Sequence, residues 1–430
     1  MTKVSVTLWR LLLLAIAAFL SWQILTHGLA AHYAQRLARG DADALPQLLR
    51  WQPDHPRVLY QEGLREVGED RQAALDRFAR AYAANPTDPY PLVAVAALYF
   101  DSGRAEEADA LMQLADRLKP VDPRIQQRLA LHWDQRGDPA TALRHLSKAM
   151  SANGRIRQEN LPVMLRLAED PALRGLLEPI ALEAPMWWPG FFGYAANRAA
   201  STEVVRYLLA LRRQAGADDI TAAERIAYQN RLLRDGFAAE AYLAWLNGLE
   251  PAAREQLGLV FNGGFELPLG NSGFAWQARP HKQLTIRPLR TLGTAGSKSL
   301  LVRFSSFDDR FAHLGQRLFL QPGRYRLTGV ARVDRLETEG GVRWRVQCHG
   351  EGNALLGESR VFRGPAPWGD FSIDFDVPAR NCDTQDLRLV SAGKHNFELA
   401  MDGALWFDAL RIQRADGDDA EDGADAVRNP

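Results

Sequence analysis

The side chains able to do chemistry are few and dispersed. Only two cysteines occur, Cys348 and Cys382, too few for a disulfide scaffold or for a zinc site built from four thiolates. Nine histidines are scattered without ligand-like spacing. There is no Gly-x-Ser-x-Gly elbow, no phosphate-cradling loop of the Walker kind and no His-Glu-x-x-His helix. Asp308 and Asp309 are adjacent carboxylates, but neighbours on a strand point to opposite faces, and glycoside cleavage needs a pair flanking a cleft. No catalytic set emerges, so the expectation is a non-enzyme without a cofactor. What remains is aromatic. Trp187, Trp188, Phe191 and Phe192 put four rings within six residues, among prolines that forbid a continuous helix. They form either an aromatic platform, a membrane-dipping loop, or a plug that packs an irregular join between helices.

The elements that hold these residues begin with the N-terminus. Lys3 and Arg10 precede an apolar run, and no Asp, Glu, Lys or Arg appears from Leu11 to Gln35. That window exceeds the roughly 20 residues needed to cross a hydrocarbon core. Residues 1–28 are expected to be an uncleaved inner-membrane anchor, with a cleaved signal sequence ending near Gly28-Leu29-Ala30 as the alternative. Under either reading the basic flank keeps the start of the chain inside, so the bulk lies in the periplasm. There an isolated cysteine pair most simply forms one disulfide, Cys348–Cys382, two buried thiols being the alternative. Fifty-two basic and 52 acidic side chains give zero formal charge, which removes any global pull toward nucleic acid.

Between Pro53 and Met150 the chain repeats every 34 residues. Ala74, Ala108 and Ala142 keep that step, as do Phe78, Met112 and Leu146, then Ala81, Ala115 and Ala149. Gly103 and Gly137 fall where a helix must end, and Pro86 and Pro120 where the next pair starts. Such a period predicts stacked helix hairpins. The pattern resembles the tetratricopeptide repeat (TPR) family, with Ala96 and Ala130, then Tyr99 and Trp133, in matching slots of the first helix. Gly63 sits one place late, which predicts one inter-helix turn a residue shorter. The TPR-like solenoid is expected over residues 29–256. It starts from a half-repeat turning at Gly40, with the membrane helix running into it without a linker. Beyond Met150 helical periodicity persists in Leu161–Leu177, Thr202–Gln214 and a pair from Thr221 to Gly248 that turns at Gly236.

From about Leu257 alternation replaces the helical period, and strands are read at 299–305, 324–333, 342–348, 371–377, 386–391 and 404–413. An antiparallel β-sandwich over 257–414 follows, then an acidic tail, 415–430, expected to be disordered. Asn262-Gly-Gly-Phe-Glu266, Gly273-Phe-Ala-Trp276 and the closing Leu405-Trp-Phe-Asp-Ala-Leu-Arg-Ile412 resemble the galactose-binding-like jelly rolls, which include carbohydrate-binding modules. The resemblance implies that Asn262–Glu266 opens the first strand. It also implies that Glu266 and Asp408 take positions where many such folds hold a structural calcium, although Ala409 stands where a second Asp is common. Sugar-binding modules stack pyranose rings on indoles, which makes Trp276 and Trp344 candidate ligand-facing rings alongside Trp187 and Trp188. Trp368 and Trp406 complete the sandwich tryptophans; each of the four lies in a core motif or on a strand, so burial is the expected fate of the set, with only one or two able to face a groove. Arg343 and Arg345 alternate with Trp344 and so take the opposite face, meeting a ligand or only water.

The fold class is therefore a transmembrane helix, an α-solenoid and an antiparallel jelly roll. The function expected is a membrane-anchored periplasmic scaffold in surface-polysaccharide assembly or export. Its concave helical face would hold a protein partner and its jelly roll a glycan. The alternatives are a sandwich that serves only as a protein-binding or structural module, and an enzyme acting on polysaccharide.

Overall fold

The computed structural model describes residues 3–41, 43–216, 220–291, 296–350 and 353–415. Of the expected tail, residues 416–430 lie outside the described residues. The chain forms two compact units, residues 1–188 and 189–430.

The first unit opens with one 36-residue helix, Lys3–Ala38. Its segment Trp9–Leu37, mean hydropathy 1.7, is long and apolar enough to cross a membrane. The same helix then changes task. Ala30 and Ala34 are buried and pack with Leu45, Leu48 and Val58 from the next two helices. No linker separates the apolar span from the helical array.

Three helix pairs follow: Pro56–Glu66 with Arg71–Ala84, Tyr90–Asp101 with Ala105–Leu118, and Pro123–Gln135 with Pro139–Ala152. Each second helix starts 34 residues after the last. Ala74, Phe78 and Ala81 are fully buried, as are Ala108 and Ala115, while Met112 is 3% exposed. The small residues let paired helices close and the large one fills the gap. Asp70, Asp122 and Asp138 cap three of these helices by accepting from backbone N–H groups of the first turn. Gly103 and Gly137 turn the chain at φ of +78° and +77°.

The first turn is not shorter, as Gly63 suggested. It takes residues 67–70, against 102–104 and 136–138 in the later pairs, because helix 56–66 stops sooner after its small residue. Gly63 serves packing instead: a Cβ there would sit 2.7 Å from the Phe78 ring. Gly63→Ala should cost about 1–3 kcal/mol by overpacking, read as a lowered urea midpoint with an unchanged m-value.

His145, 8% exposed, meets Gln126 Oε1 at 2.7 Å, and Gln126 in turn donates to Asp116 at 2.6 Å. Burial pushes the imidazole pKa down to about 4, against the pull of Asp116. The unfolded chain takes up this proton near pH 6.5 and the folded chain only near 4. Stability should therefore fall as pH drops through that window. Thermal melts at pH 7 and 4.5 check this: wild type should lose more on acidification than His145→Gln.

After residue 152 the regular step is lost. The periodicity across Leu161–Leu177 resolves into a helix, Gly154–Glu169, and a separate short 3₁₀ turn, Arg174–Leu177. Pro171 follows Asp170, whose side chain accepts from the Ala172 N–H and ends the helix. Ala184, at φ +44°, closes the next helix, Glu178–Glu183, and Pro189 begins another, Trp188–Arg198.

The second unit adds helices Thr202–Ala215, Ala222–Arg234, Ala238–Asn247 and Pro251–Arg254. Thr221 and Glu224 form a capping box, and the buried Glu224 carboxylate also accepts from Arg212 at 3.1 Å. Among the described residues the chain then passes into ten strands: β1 Gln277–Ala278, β2 Leu284–Arg290, β3 Lys298–Phe307, β4 Leu314–Leu318, β5 Gly323–Glu337, β6 Val342–Cys348, β7 Leu355–Glu358, β8 Ala366–Val377, β9 Gln385–Ser391 and β10 Met401–Arg414. They make two antiparallel five-stranded sheets, ordered β1-β4-β9-β6-β7 and β2-β3-β10-β5-β8. One core fills the space between them, built on Phe265, Trp276, Trp344, Leu405 and Phe407.

Asn262–Glu266 is not a strand. Asn262 and Phe265 have φ of +50° and +54°, outside the region of a regular ladder. The segment is instead a turn latched to the last strand: the Leu410 N–H donates to Gly263 O, and the Trp276 indole donates to Asn262 O.

Within this unit the last helix pair docks on the end of the sandwich. Trp245 meets Phe261 and Phe274 at ring separations of 5.0 and 5.7 Å, while Tyr242 meets Phe274 and Phe319 at 5.0 and 5.2 Å. Gly273, at φ +55°, makes the approach possible, since a Cβ there would lie 2.6 Å from the Trp245 ring.

Candidate functional site

The four rings singled out by sequence are in the core. Trp187, Trp188, Trp276 and Trp344 are all 0–1% exposed, so none offers a face to a ligand. Trp187 donates from its indole to Ser147 Oγ at 3.2 Å, and Phe191 and Phe192 are fully buried too. The aromatic insertion is therefore packing. Trp276 and Trp344 contact each other at 5.6 Å between the sheets.

Cys348 and Cys382 form a disulfide. Glu266 and Asp408 both meet partners within the protein. Glu266 accepts from the Ser297 and Lys298 N–H groups and from the Ser297 hydroxyl, at 2.7–3.0 Å. The Lys298 ammonium lies 2.5 Å from the Glu266 carbonyl, a cation already in place. These bonds, the Ser297 hydroxyl first, hold the carboxyl below its ordinary range. Asp408 is buried and accepts from the Ala409 N–H. Among the described residues no group of three or more His, Cys, Asp or Glu converges. Asp308 and Asp309 are exposed in the loop between β3 and β4 rather than on a strand.

The two outer faces of the sandwich differ in how their charges are spent. On the β1-β4-β9-β6-β7 sheet every arginine of a central row is tied to a carboxylate. Arg343 and Arg345 converge on Glu358 at 2.5 and 2.8 Å. Arg317 and Arg388 converge on Asp386 at 3.4 and 3.0 Å, joined by His349 at 3.0 Å. Burial works against Glu358, but hydrogen bonds from Arg345 and the charge of Arg343 hold its carboxyl below the usual range. This face is a closed ion-pair ladder.

The β2-β3-β10-β5-β8 sheet turns different residues outward. Leu405 and Phe407 enter the core, so Trp406 between them points out. Phe371, Ile373, Phe375 and Val377 do the same on β8, which sends Trp368 outward with Asp370, Ser372 and Asp374. The register places Trp406 opposite Arg332 on β5 and Leu301 on β3, and Leu301 opposite Arg287 on β2. The Arg332 guanidinium lies over both indoles, 4.2 Å from the Trp406 centroid and 5.8 Å from that of Trp368. Trp406 is 7% exposed beneath it. Trp368 is half-buried, and its indole N–H is enclosed without a partner. Arg303 stands one row on, exposed, beside Ala404. Among the described residues, no carboxylate is within ion-pair distance of Arg287, Arg303 or Arg332.

No protein-family model matches the chain, and no curated protein matches it. Solved structures similar to part of it include a CBM4 carbohydrate-binding module (14% identity, 36% of this chain, 99% of that chain, TM-score 0.27). Another is the CBM22-1 xylan-binding domain of Paenibacillus barcinonensis Xyn10C (13% identity, 35% and 91%, TM-score 0.24). A third is TmCBM61 in complex with β-1,4-galactotriose (15% identity, 37% and 99%, TM-score 0.25). Each likeness is confined to little more than a third of the chain.

The functional candidates are thus Trp368, Arg332 and Trp406, not the rings chosen from sequence. Strand parity was the signal for them: both tryptophans share the alternate positions opposite the core-forming phenylalanines.

In the first unit a groove of about 700 Å³ is lined by Val121, Arg144, His145, Lys148, Ile180 and Glu183. Its lining mixes apolar and charged side chains.

Proposed function

We propose that this chain is a non-catalytic, membrane-anchored scaffold that binds glycan on the outer face of its β2-β3-β10-β5-β8 sheet. The single observation that carries the reading is the outward-turned Trp368–Arg332–Trp406 cluster, a half-buried indole beside a guanidinium that no described carboxylate neutralises. Indole faces stack on sugar rings, and arginine N–H groups bond ring hydroxyls or acids. The TPR-like helical array, through its groove, holds a protein partner. The apolar helix anchors the whole in the inner membrane, with the bulk of the chain in the periplasm. Tethering a partner and a polymer on one chain raises their local concentration without new chemistry, a role suited to surface-polysaccharide assembly or export.

The test is retention of the detergent-solubilised full chain on immobilised polysaccharides. Trp368→Ala should weaken retention several-fold, since covering roughly 50 Å² of apolar ring face is worth about 1 kcal/mol. Arg345→Gln, on the other face, should leave it unchanged. A second reading, the sandwich as a protein-binding module, draws on the ion-pair ladder around Glu358 and Asp386. It gains if no polysaccharide is retained and Arg345→Gln instead releases a co-purifying protein.

A further inference from the structure

The charge pattern of the outward face narrows the class of glycan. Along β5 and β8 the face is internally balanced: Arg326 meets Asp374 at 2.6 Å, and Arg324 lies opposite Asp376 in the register. Toward β2 and β3 the balance ends. Arg287, Arg303 and Arg332 come from three strands of one sheet, and adjacent strands are about 4.8 Å apart. The acidic side chains nearest in register are Asp334, opposite Ala404 in the row of Arg303, and Asp408 and Asp370, both opposite Val330 one row beyond Arg332. Arg287 and Arg332 share the row of Trp406, two strands and one strand away from it on opposite sides, and Arg303 stands in the next row; with no described carboxylate paired to any of them, they leave a surplus of positive charge on this part of the face. The opposite face has at least as many arginines but spends them on Glu358 and Asp386. The surplus is thus a property of this face and not of the chain, whose formal charge is zero.

We infer that the ligand is an anionic polysaccharide, one carrying carboxylates such as uronic acids along its backbone, rather than a neutral glycan. Stacking on Trp368 positions the ring, and Arg332, Arg303 and Arg287 take successive acidic groups through forked hydrogen bonds. A neutral chain would use the indole and leave the arginines unmatched. This inference rests on the glycan-binding reading of the same face.

The experiment compares three probes against the full chain in detergent: polygalacturonate, the same polymer fully methyl-esterified, and β-1,4-galactan. Polygalacturonate should bind at least about tenfold more tightly than its ester in about 0.05 M salt, and the ratio should shrink several-fold in about 0.5 M salt as the charges are screened. The double variant Arg287→Gln/Arg303→Gln changes only exposed side chains. It should bring the ratio toward one without altering affinity for the ester or the melting temperature. If the ester or the galactan binds as well as the acid, the anionic inference falls and glycan binding stands. If none of the three binds, both fall.

Discussion

Trp245→Ala should lower the stability of the second unit by about 3–5 kcal/mol, the cost of deleting a buried tryptophan. The side chain is 5% exposed and reaches from helix 238–247 to Phe261 and Phe274 at the mouth of the sandwich. Its removal empties the centre of an aromatic cluster that also includes Tyr242 and Phe319. Because the contact joins the helices to the sheets, the effect goes beyond a lower midpoint. Urea unfolding followed by tryptophan fluorescence should show one transition splitting into two, helices before strands, as the coupling is lost. Trp245→Phe retains most of the ring contact and should keep the single transition with a smaller loss.

Opening the disulfide is the second large effect. Cys348 ends β6 and Cys382 precedes β9, 34 residues on. Closing a loop of that length removes about 3–4 kcal/mol of unfolded-chain entropy at 25 °C. The paired Cys348→Ser/Cys382→Ser variant should therefore melt roughly 10 °C lower for a unit of this size. Wild type in excess reductant should match it. The bond lies at the same end of the strands as Gln385, which donates to Cys382 O at 2.7 Å and accepts from the Leu320 N–H at 3.0 Å. Strand β9 is thus pinned by two independent means, and part of its register should survive reduction.

The helical half was legible because a 34-residue step writes helix geometry directly into residue spacing. Ala74, Ala108 and Ala115 are small, recurrent and fully buried. The long strands were legible for the matching reason, since period two is visible over seven or more residues, as in Val342–Cys348. Short strands carry too few alternations: β1 has two residues, β4 five and β7 four, and none is read from the sequence; β2 is missed despite its seven residues, its alternation interrupted by Pro288. The motif at Asn262–Glu266 misled because its left-handed backbone, set by contacts with Leu410 and Trp276, leaves no mark on apolar spacing.

The candidate site was hidden differently. Tryptophan is apolar enough to be read as core wherever it falls, and nothing local to Trp276, Trp344, Trp368 and Trp406 separates the two that enter the core from the two whose strand parity turns them outward. The arginines were harder still. Arg345 and Arg332 look alike in sequence, and only the cross-strand register shows that Glu358 meets the first while an indole meets the second. Charge pairing across a sheet depends on neighbours far apart in the chain, and no local pattern encodes it.

The most direct measurement is an NMR titration of the indole N–H signals, with the chain in detergent and short polygalacturonate oligomers as ligand. The signals of Trp368 and Trp406 should move in a saturable way while those of Trp276 and Trp344 stay fixed, and Trp368→Ala should abolish the response of Trp406. Saturable binding that leaves both outward indoles unmoved would contradict the account.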